Sequence, residues 1–316
     1  MADKKIVCLG GGIGTVNLIK GFKGRFDEIS VVVSMADNGG SSGRLRRLYN
    51  VPPPGDIVSC MAAVAKNPII SNLLTYRFKG DRYGKDEVLF GQKLGNLVMI
   101  ALQDLTSSFD EAIKLFQKIF GIKGVFLPAT SEDVNISAKT IEGKLIYGEE
   151  KIDLGKYRGK RILDKVYLHP SDAKANPIVL KNIEEADVVI AGPGDLYTTI
   201  LPVLIVKNIK EALVKSKAIK IFVVNVANKP FETRGYSVDD YIEAVEKHLG
   251  VFPFDRVIVN DNFSPKIPNI YRYKYVNIES KNNHNGIKII KKDIINEEFP
   301  LYHNSSKLAK TILRNI

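Results

Sequence analysis

The sequence contains few of the residues on which several classes of protein depend. It has no tryptophan and only two cysteines, Cys8 and Cys60, so a disulfide framework is excluded. Both cysteines lie among apolar residues, which predicts buried, reduced thiols and a cytoplasmic protein. The four histidines are far apart and have no cysteine or carboxylate spacing around them. We therefore expect no metal site built by the protein alone.

Long hydrophobic runs are also missing. No apolar stretch approaches the roughly 18 residues needed to span a bilayer, so membrane insertion is not expected. The chain begins Met-Ala-Asp-Lys-Lys and leads directly into a strand-like segment, which does not resemble a signal peptide. No Ser/Gly-rich linker and no internal repeat divide it. We predict one domain over residues 1–316, with an irregular C-terminal segment at about 263–316.

The charge is strongly positive but dispersed. The formal net charge is +11, with lysines and arginines scattered among acidic residues for most of the chain. The densest basic stretch, Lys288 to Lys292, is short. A solvated lysine-rich surface explains this pattern, and we do not expect nucleic acid as a partner.

Short β-branched runs alternate with amphipathic stretches through most of the chain. Nearly continuous hydrophobic runs are typical of strands buried on both faces of a parallel sheet. The predicted strands are Lys5–Leu9, Ile29–Ser34, Gly124–Leu127, Val188–Ala191, Ile219–Asn225 and Arg256–Asn260. The predicted helices include Val16–Phe22, Phe109–Phe120, Pro202–Lys215 and Ser237–Leu249. This alternation predicts an α/β fold with a doubly wound, mostly parallel sheet.

Two regions depart from that alternation. Ser137–Lys151 reads as two short strands around Glu142-Gly143, which predicts a hairpin and a small antiparallel extension of the sheet. The stretch from Phe263 to Pro300 is rich in Lys, Asn and Ile, and we expect irregular strands there at one edge of the sheet.

Glycines cluster after the predicted strands, where open α/β sheets bind ligands. The first cluster includes Gly11 and Gly12, between a strand and a helix. The absence of side chains lets the backbone approach a phosphate, and the helix N-terminus supplies free N–H donors. The spacing matches neither GxGxxG nor a P-loop. The pattern therefore predicts phosphate binding without specifying a known nucleotide motif.

The second cluster, "ADNGGSSGR", gathers small donors and acceptors in a few positions. Backbone N–H groups and serine hydroxyls suit oxyanions, an arginine suits phosphate charge, and an aspartate suits a sugar hydroxyl or metal. The candidates in this cluster are Asp37, Asn38, Gly40, Ser41, Ser42 and Arg44. Asp37 is the best candidate for a catalytic group.

Two later motifs leave alternatives open. Asp56, after a run of prolines, either caps a helix or faces the ligand. Asn96 in "GQKLGNL" either caps the helix that follows or contacts a base or phosphate.

A further glycine-rich strand end repeats the phosphate-binding pattern. Gly192 and Gly194 follow an apolar strand, and Tyr197 and Thr198 precede a helix. Tyr197 either stacks on a base or packs in the core. Asn225 ends another buried strand, where an amide suits hydrogen bonding to a ligand. No Ser-His-Asp set, nucleophilic cysteine or retaining carboxylate pair is identifiable, so the predicted site is one that binds phosphates.

Seven stretches in order resemble the CofD superfamily, and most closely its bacterial YvcK branch, the gluconeogenesis factors. They are "GGGIGTVNLIKGF", "ADNGGSSGRLR", "PPPGDI", "LGNLVMIAL", "ISAKTIEGKLIYGE", "AGPGDLYTTILPVLIV" and "NVANKPFETRGYS". The resemblance implies a three-layer Rossmann-like sandwich. It also implies a regulatory protein that binds a UDP-sugar such as UDP-N-acetylglucosamine, and that supports cell shape and cell-wall synthesis during gluconeogenic growth.

The family's pocket can be carried over by position. It would include Gly11, Gly12, Thr15, Asp37, Gly40, Ser41, Ser42 and Asn96, together with Gly194, Tyr197, Thr198 and Asn225. No cofactor is implied, and Mg²⁺ would enter only with the nucleotide.

Four stretches depart from the family pattern. Asn38 follows Asp37 where two aspartates are usual, which weakens any Mg²⁺-assisted transfer. Gln92-Lys93 replaces His-Ser, and Asp195 replaces a serine, placing a negative charge near the expected phosphate. Tyr302 stands in place of an arginine.

The rival reading is a 2-phospho-L-lactate transferase of the CofD type, which would act on a guanylyl donor and a deazaflavin. Such an enzyme needs positioning and charge stabilisation rather than a nucleophile. A cell-wall synthesis protein as partner, in contact with the basic C-terminal stretch, is compatible with the regulatory reading. Self-association into a homo-oligomer also stays open.

Overall fold

The computed structural model describes residues 4–22, 24, 29–79, 89–280, 284 and 286–316. The strands are β1 Ile6–Gly10, β2 Ile29–Val33, β3 Val125–Pro128, β4 Asn135–Thr140, β5 Leu145–Tyr147, β6 Leu163–His169, β7 Val188–Ala191, β8 Ile219–Val223, β9 Ala227–Asn228, β10 Arg256–Asn260, β11 Lys274–Tyr275 and β12 Lys288–Lys292. The α-helices are α1 Gly12–Phe22, α2 Gly40–Tyr49, α3 Gly55–Val64, α4 Pro68–Thr75, α5 Leu94–Asp104, α6 Phe109–Phe120, α7 Glu149–Asp153, α8 Pro177–Glu185, α9 Leu201–Leu204, α10 Ile209–Lys215, α11 Val238–Leu249 and α12 Ser305–Leu313. A π-helical turn covers Leu196–Ile200 and a 3₁₀ turn covers Asn269–Tyr271.

The main sheet has seven parallel strands in the order β12-β10-β8-β7-β1-β2-β3. Every residue of β1, β2 and β7 is buried, because helices cover both faces. The chain runs outward from β1 in one direction and from β7 in the other. Right-handed connections on the two sides of this switch place their helices on opposite faces. The predicted three-layer α/β sandwich is thus confirmed.

The predicted hairpin is present but does not join the main sheet. Strands β4 and β5 pair antiparallel, and β4 pairs on its other side with β6, which the sequence analysis missed. These strands form a separate three-stranded sheet. The strand β6 alternates only partly between buried and exposed residues, which explains why periodicity did not reveal it.

The predicted helix over Pro202–Lys215 is interrupted. The π-helical turn leads into the short helix α9, and α10 begins only at Ile209. Asn208 between them adopts a left-handed conformation with φ 75°, which ends the helical path. By contrast, Ser237 caps α11 as predicted, in a reciprocal capping box with Asp240.

The C-terminal stretch supplies a regular edge strand. Strand β12 pairs parallel with β10, and its Lys288, Lys291 and Lys292 are exposed. Lysines at a sheet edge discourage pairing with another chain, so the basic stretch has a structural explanation. Positions 281–283 and 285 of the predicted irregular segment lie outside the described residues.

Both cysteines are buried free thiols, as predicted. In the part of the chain that the structure describes, no helix combines the length and apolarity required to cross a membrane.

Candidate functional site

A two-lobed cleft lies at the carboxyl ends of the strands, at the switch between β1 and β7. Loops after both strands line it, as an open α/β sheet predicts. One lobe, of about 690 Å³, is lined by Ser41, Ser42, Ser59, Ser71, Lys93 and Asn96, among others, and is called the serine lobe here. The other, of about 310 Å³, is lined by Pro193, Gly194, Thr198, Asn225, Tyr273 and Tyr302, among others, and is called the tyrosine lobe. The lobes share a wall that contains Gly12, Ile13, Asp37, Asp56, Glu149 and Asp153.

Two glycine-rich loops meet at this wall because neither has side chains to hold them apart. A Cβ at Gly14 in α1 would lie 2.3 Å from the carbonyl oxygen of Pro193. Glycine is therefore required here for close approach of the two backbones. The contact places the N-terminus of α1 beside the loop that follows β7.

Helix N-termini that face the cleft lack side-chain caps. Helices α2, α3 and α5 begin after Gly39, Pro54 and Lys93, none of which makes a capping hydrogen bond with its side chain. Residues of all three first turns line the serine lobe. Five helices that begin elsewhere do have side-chain caps, at Asn67, Ser108, Asn176, Ser237 and Asn304, whereas α9 and α10 do not. Uncapped N–H groups grouped in one cleft are suited to bind an anion.

Lys93 adds a buried positive charge at the same place. Its side chain is in the core-facing part of the serine lobe, with Nζ 2.6 Å from Oγ of Ser59 and 3.3 Å from the carbonyl oxygen of Gly55. Among the described residues, no carboxylate forms an ion pair with it. Burial, followed by the charge of Arg77, lowers the pKa of Lys93. An ammonium against the first turn of α3, the positive end of that helix, is unfavourable alone and becomes favourable when an anion binds.

Carboxylates dominate the shared wall. Burial, and then the charge of Asp37, raises the pKa of Asp56 to about 6 and that of Glu149 to about 9. Burial also raises the pKa of Asp37. Two of these groups accept backbone hydrogen bonds at helix N-termini: Asp56 from Gly12, and Asp37 from Gly39 at 2.9 Å. With a pKa of about 9, Glu149 retains its proton near neutral pH, which reduces its repulsion of a bound anion.

Beside the tyrosine lobe, three carboxylates surround one lysine. Oxygens of Asp153, Asp195 and Glu232 lie within 4.8 Å of one another, a spacing that could hold a metal ion. The ammonium of Lys229 contacts Asp153, lies 2.6 Å from Asp195 and 3.1 Å from Glu232. Burial alone would lower the pKa of Lys229, but the three carboxylates outweigh it and raise this pKa well above its ordinary value. The lysine thus takes the position that a cation would occupy.

Glu232 connects this cluster to the loop after β7. It is fully buried and accepts hydrogen bonds from the backbone N–H of Tyr197, at 3.1 Å, and from Oγ1 of Thr198, at 2.9 Å. Burial raises its pKa to about 7, opposed by Lys229. Glu232 therefore positions the start of the π-helical turn at the cleft.

The structure brings most predicted site residues into the cleft walls. These are Gly11, Gly12, Asp37, Gly40, Ser41, Ser42, Asp56, Asn96, Gly194, Thr198 and Asn225. The open alternatives resolve in part: neither Asp56 nor Asn96 caps its helix, since Asp56 follows the first residue of α3 and Asn96 lies within α5.

Other predicted residues shape the loops and do not line either lobe. Thr15 accepts a hydrogen bond from the N–H of Gly11 at 2.8 Å, and Asn38 accepts one from the N–H of Glu150 at 2.8 Å. A Cβ at Gly192 would lie 2.6 Å from the carbonyl oxygen of Val223, so this glycine allows β7 and β8 to approach.

Tyr197 and Arg44 also lie outside the cleft lining and support residues that line it. Tyr197 is buried, with its hydroxyl 2.8 Å from that of Tyr236, so it packs. The Arg44 guanidinium donates to the carbonyl oxygen of Phe90 at 2.5 Å. With the Gln92 amide oriented to satisfy both neighbours, Gln92 accepts from Arg44 and donates to Ser41. Arg44 thus supports Ser41 through Gln92.

Several lining residues had no signal in the sequence. Glu149 and Asp153 follow the hairpin, and Tyr273 and His303 come from the C-terminal stretch. Lys93 and Tyr302 stood out only as departures from the family pattern. Only the folding of distant segments onto the switch point reveals their role.

Comparison with known proteins is consistent with this architecture. The family model "2-phospho-L-lactate transferase CofD" matches residues 6–295. A gluconeogenesis factor from Bacillus subtilis (strain 168) is 38% identical over 272 residues, covering 86% of this chain and 82% of the relative. A gluconeogenesis factor from Listeria innocua is 33% identical over 314 residues, covering 98% of this chain and 94% of the relative.

A solved structure is similar over nearly the whole chain. The crystal structure of a UPF0052 family member from Bacillus halodurans has a TM-score of 0.89 and 31% sequence identity, and the match covers 99% of each chain. Since both the family model and these relatives match most of its length, the chain belongs to the CofD family.

Proposed function

We propose that this protein is a gluconeogenesis factor that binds a nucleotide-sugar of the UDP-N-acetylglucosamine type and acts by regulation without catalysis. The observation that carries the proposal is the buried ammonium of Lys93, which is unpaired with any carboxylate of the described residues and lies in a lobe lined by three uncapped helix N-termini. Such a site favours a phosphate group.

The size and division of the cleft support a ligand with distinct parts. Lobes of about 690 and 310 Å³ lie in the range of pockets that enclose small molecules. The serine lobe is rich in hydroxyls, amides and cations, which suit phosphates and a sugar. The tyrosine lobe offers the aromatic rings of Tyr273 and Tyr302.

Calorimetric titration tests the proposal. The protein is titrated with UDP-N-acetylglucosamine, UDP and GDP, each with and without Mg²⁺. We expect saturable binding of the UDP-sugar, with a dissociation constant in the micromolar range or tighter, and no turnover by nuclear magnetic resonance of the product mixture. If none of the three nucleotides binds, the proposal is contradicted.

A physiological test addresses the regulatory part, namely cell shape and cell-wall synthesis under gluconeogenic growth. A bacterium lacking its own gluconeogenesis factor is supplied with this chain and grown on a gluconeogenic carbon source. Restored rod shape by the unmodified chain, and its loss with Lys93→Met, would support regulation through the bound ligand. If the unmodified chain and Lys93→Met rescue growth equally well, the growth function does not depend on nucleotide binding through Lys93.

The family model's description favours one alternative, a 2-phospho-L-lactate transferase. Asp37 and Asp56 share one wall and offer oxygen ligands that suit Mg²⁺ brought with a nucleotide. The ion would supply charge stabilisation of the phosphates, while the helix N-termini position them. Incubation with a guanylyl phospholactate donor and a deazaflavin acceptor decides this, since formation of the phospholactyl product would replace the regulatory proposal.

A further inference from the structure

We propose that the serine lobe also takes a small phosphorylated aldehyde, which Lys93 holds covalently as an imine. The inference goes beyond the proposed function and rests on it in one respect, since the nucleotide and the aldehyde would compete for the same lobe. Lys93 then has two states, a neutral amine that reacts with the aldehyde and an ammonium that pairs with a nucleotide phosphate.

Lys93 is a buried amine that lines a cavity. Only 7% of the residue is exposed, yet it forms part of the wall of the serine lobe, whose volume is about 690 Å³. In the part of the chain that the structure describes, no carboxylate forms an ion pair with it. Lys229 is the opposite case, because three carboxylates surround its ammonium. A desolvated lysine without a counter-charge favours the neutral amine, which is its nucleophilic form.

The two hydrogen bonds of Lys93 suit a neutral amine. Its Nζ lies 2.6 Å from Oγ of Ser59 and 3.3 Å from the carbonyl oxygen of Gly55. Ser59 donates its own hydroxyl hydrogen to that carbonyl oxygen, at 2.5 Å, so both neighbours accept hydrogens from the lysine. A neutral amine has two N–H hydrogens for these two acceptors. Its lone pair then remains for the carbonyl carbon of a molecule in the lobe.

The charges around Lys93 favour the same form. Burial has the largest effect and lowers the pKa of Lys93, and the positive charge of Arg77 lowers it further. The negative groups Asp56, Cys60 and Asp37 oppose this decrease without cancelling it. A nucleotide phosphate in direct contact with Nζ would restore the ammonium, so the bound nucleotide would suppress the reaction with an aldehyde.

The lining of the lobe explains why the aldehyde would carry a phosphate. Helices α2, α3 and α5 begin at this lobe without side-chain caps, and their first-turn N–H groups suit an oxyanion. Lys20 and Arg77 line the lobe as well. A phosphate held by these groups would keep the aldehyde carbon beside Lys93, so that the bond forms within one complex and not by chance collision.

The reaction balances without a further reactant. The lone pair of Nζ bonds to the aldehyde carbon, and one amine hydrogen moves to the aldehyde oxygen, which gives a carbinolamine. The carbon–oxygen bond then breaks, and the oxygen leaves as water with the second amine hydrogen, so that an imine is formed. Nothing is oxidised or reduced. The hydroxyl of Ser59, 2.6 Å from Nζ, is placed to pass the protons.

Labelling with pyridoxal 5′-phosphate, a phosphorylated aldehyde, tests the proposal. Borohydride then reduces the imine to a stable amine, and the labelled lysines of the unmodified full chain are mapped by mass spectrometry. At neutral pH we expect Lys93 to be labelled at least about 10-fold faster than Lys66, since an ordinary lysine is almost fully protonated there. Lys66 is an exposed lysine between α3 and α4 that lines neither lobe. Pyridoxal, which lacks the phosphate, should label Lys93 at least about 10-fold more slowly than pyridoxal 5′-phosphate.

Three variants separate the roles of the residues. Lys93→Arg keeps a positive charge but has no amine that forms an imine, so the absorbance of the imine and the reduced adduct should both be lost. Ser59→Ala keeps the amine and should slow labelling of Lys93 by about 10-fold or more. Lys66→Met is the matched control and should leave labelling of Lys93 unchanged. The mapping of the unmodified chain needs no variant, so it tests the proposal even where a variant fails to fold.

The imine proposal and the proposed function fail separately. If Lys93 is labelled no faster than Lys66, or equally fast by pyridoxal, the imine proposal is overturned, whereas calorimetric binding of UDP-N-acetylglucosamine would still support the proposed function. Saturating UDP should slow labelling of Lys93 and leave that of Lys66 unchanged, and unslowed labelling would overturn the shared lobe. If Lys93 is labelled selectively but no nucleotide binds, the proposed function fails and the aldehyde site stands.

Discussion

The ammonium of Lys229 lies 2.6 Å from a carboxylate oxygen of Asp195. The sequence analysis treated Asp195 as an added negative charge near the expected phosphate, but the fold supplies its counter-ion from a different strand end. Because Lys229 also contacts Asp153 and Glu232, this one buried cation holds three segments of the cleft together.

Removing Lys229 should therefore destabilise the protein strongly. Lys229→Met leaves the buried Glu232 and the two partly exposed aspartates without a counter-ion, and we expect the free energy of unfolding to fall by about 3 kcal/mol. Urea denaturation followed by circular dichroism measures the loss. Lys307→Met is a matched control, since Lys307 forms exposed ion pairs with Asp293 and Glu297, and it should cost less than about 1 kcal/mol.

Asp195 should be energetically coupled to that lysine. In a double-mutant cycle, Asp195→Asn combined with Lys229→Met should cost less than the sum of the single changes, because each change removes the same ion pair. Additive losses would show that Asp195 does not help to hold Lys229.

Substitution of Lys93 should have opposite effects on stability and binding. Lys93→Met removes a buried charge from the positive end of a helix, so the unliganded protein should gain about 1 kcal/mol in its free energy of unfolding. The same variant should bind UDP about 10- to 100-fold more weakly in calorimetry. Lys20→Met changes an exposed lysine of the same lobe and should alter affinity by less than about 3-fold. A destabilised Lys93→Met protein with unchanged affinity would contradict the phosphate assignment.

Asp56 should make both stability and binding depend on pH. Its folded pKa of about 6 lies above the ordinary aspartate value, so its contribution to stability is present at low pH and is lost as pH rises through about 6. Asp56→Asn should raise the free energy of unfolding by about 1 to 3 kcal/mol at pH 8, and by less at pH 5. Thermal denaturation at both pH values gives the comparison.

The same carboxylate should oppose an anionic ligand once it ionises. Without Mg²⁺, UDP should bind the unmodified chain more tightly as pH falls through about 6, and Asp56→Asn should reduce this dependence. Calorimetry from pH 5 to pH 8 tests it. Affinity that falls on acidification would indicate that ionised Asp56 contributes favourably to binding.

Gly14 should not tolerate even alanine. Alanine normally favours a helix over glycine by about 1 kcal/mol, but a Cβ here would lie 2.3 Å from the Pro193 carbonyl oxygen. We expect Gly14→Ala to lower stability by about 2 kcal/mol or more and to weaken nucleotide binding. Lys20→Ala, on the exposed face of the same helix, should be nearly neutral in urea denaturation. A stabilised Gly14→Ala protein would show that the two loops can separate freely.

Periodicity predicted the elements whose local pattern and tertiary environment agree. The buried strands β1, β2 and β7 are continuous apolar runs, and α11 has its capping box in adjacent sequence. It failed where context overrides local pattern, as in the helix interrupted at Asn208 and in β6, which forms because β4 offers a free edge.

The sequence by itself determined the parallel sheet and the glycine-rich loops after its strands, because hydrophobic runs and missing side chains act over a few neighbouring residues. Only the tertiary structure decided which charges meet. Lys93, Glu149 and Tyr273 come from segments far apart in the chain, and the switch between β1 and β7 brings them to one cleft, with Lys229 beside it. Coulombic and stacking interactions depend on distance in space, which spacing along the chain does not encode.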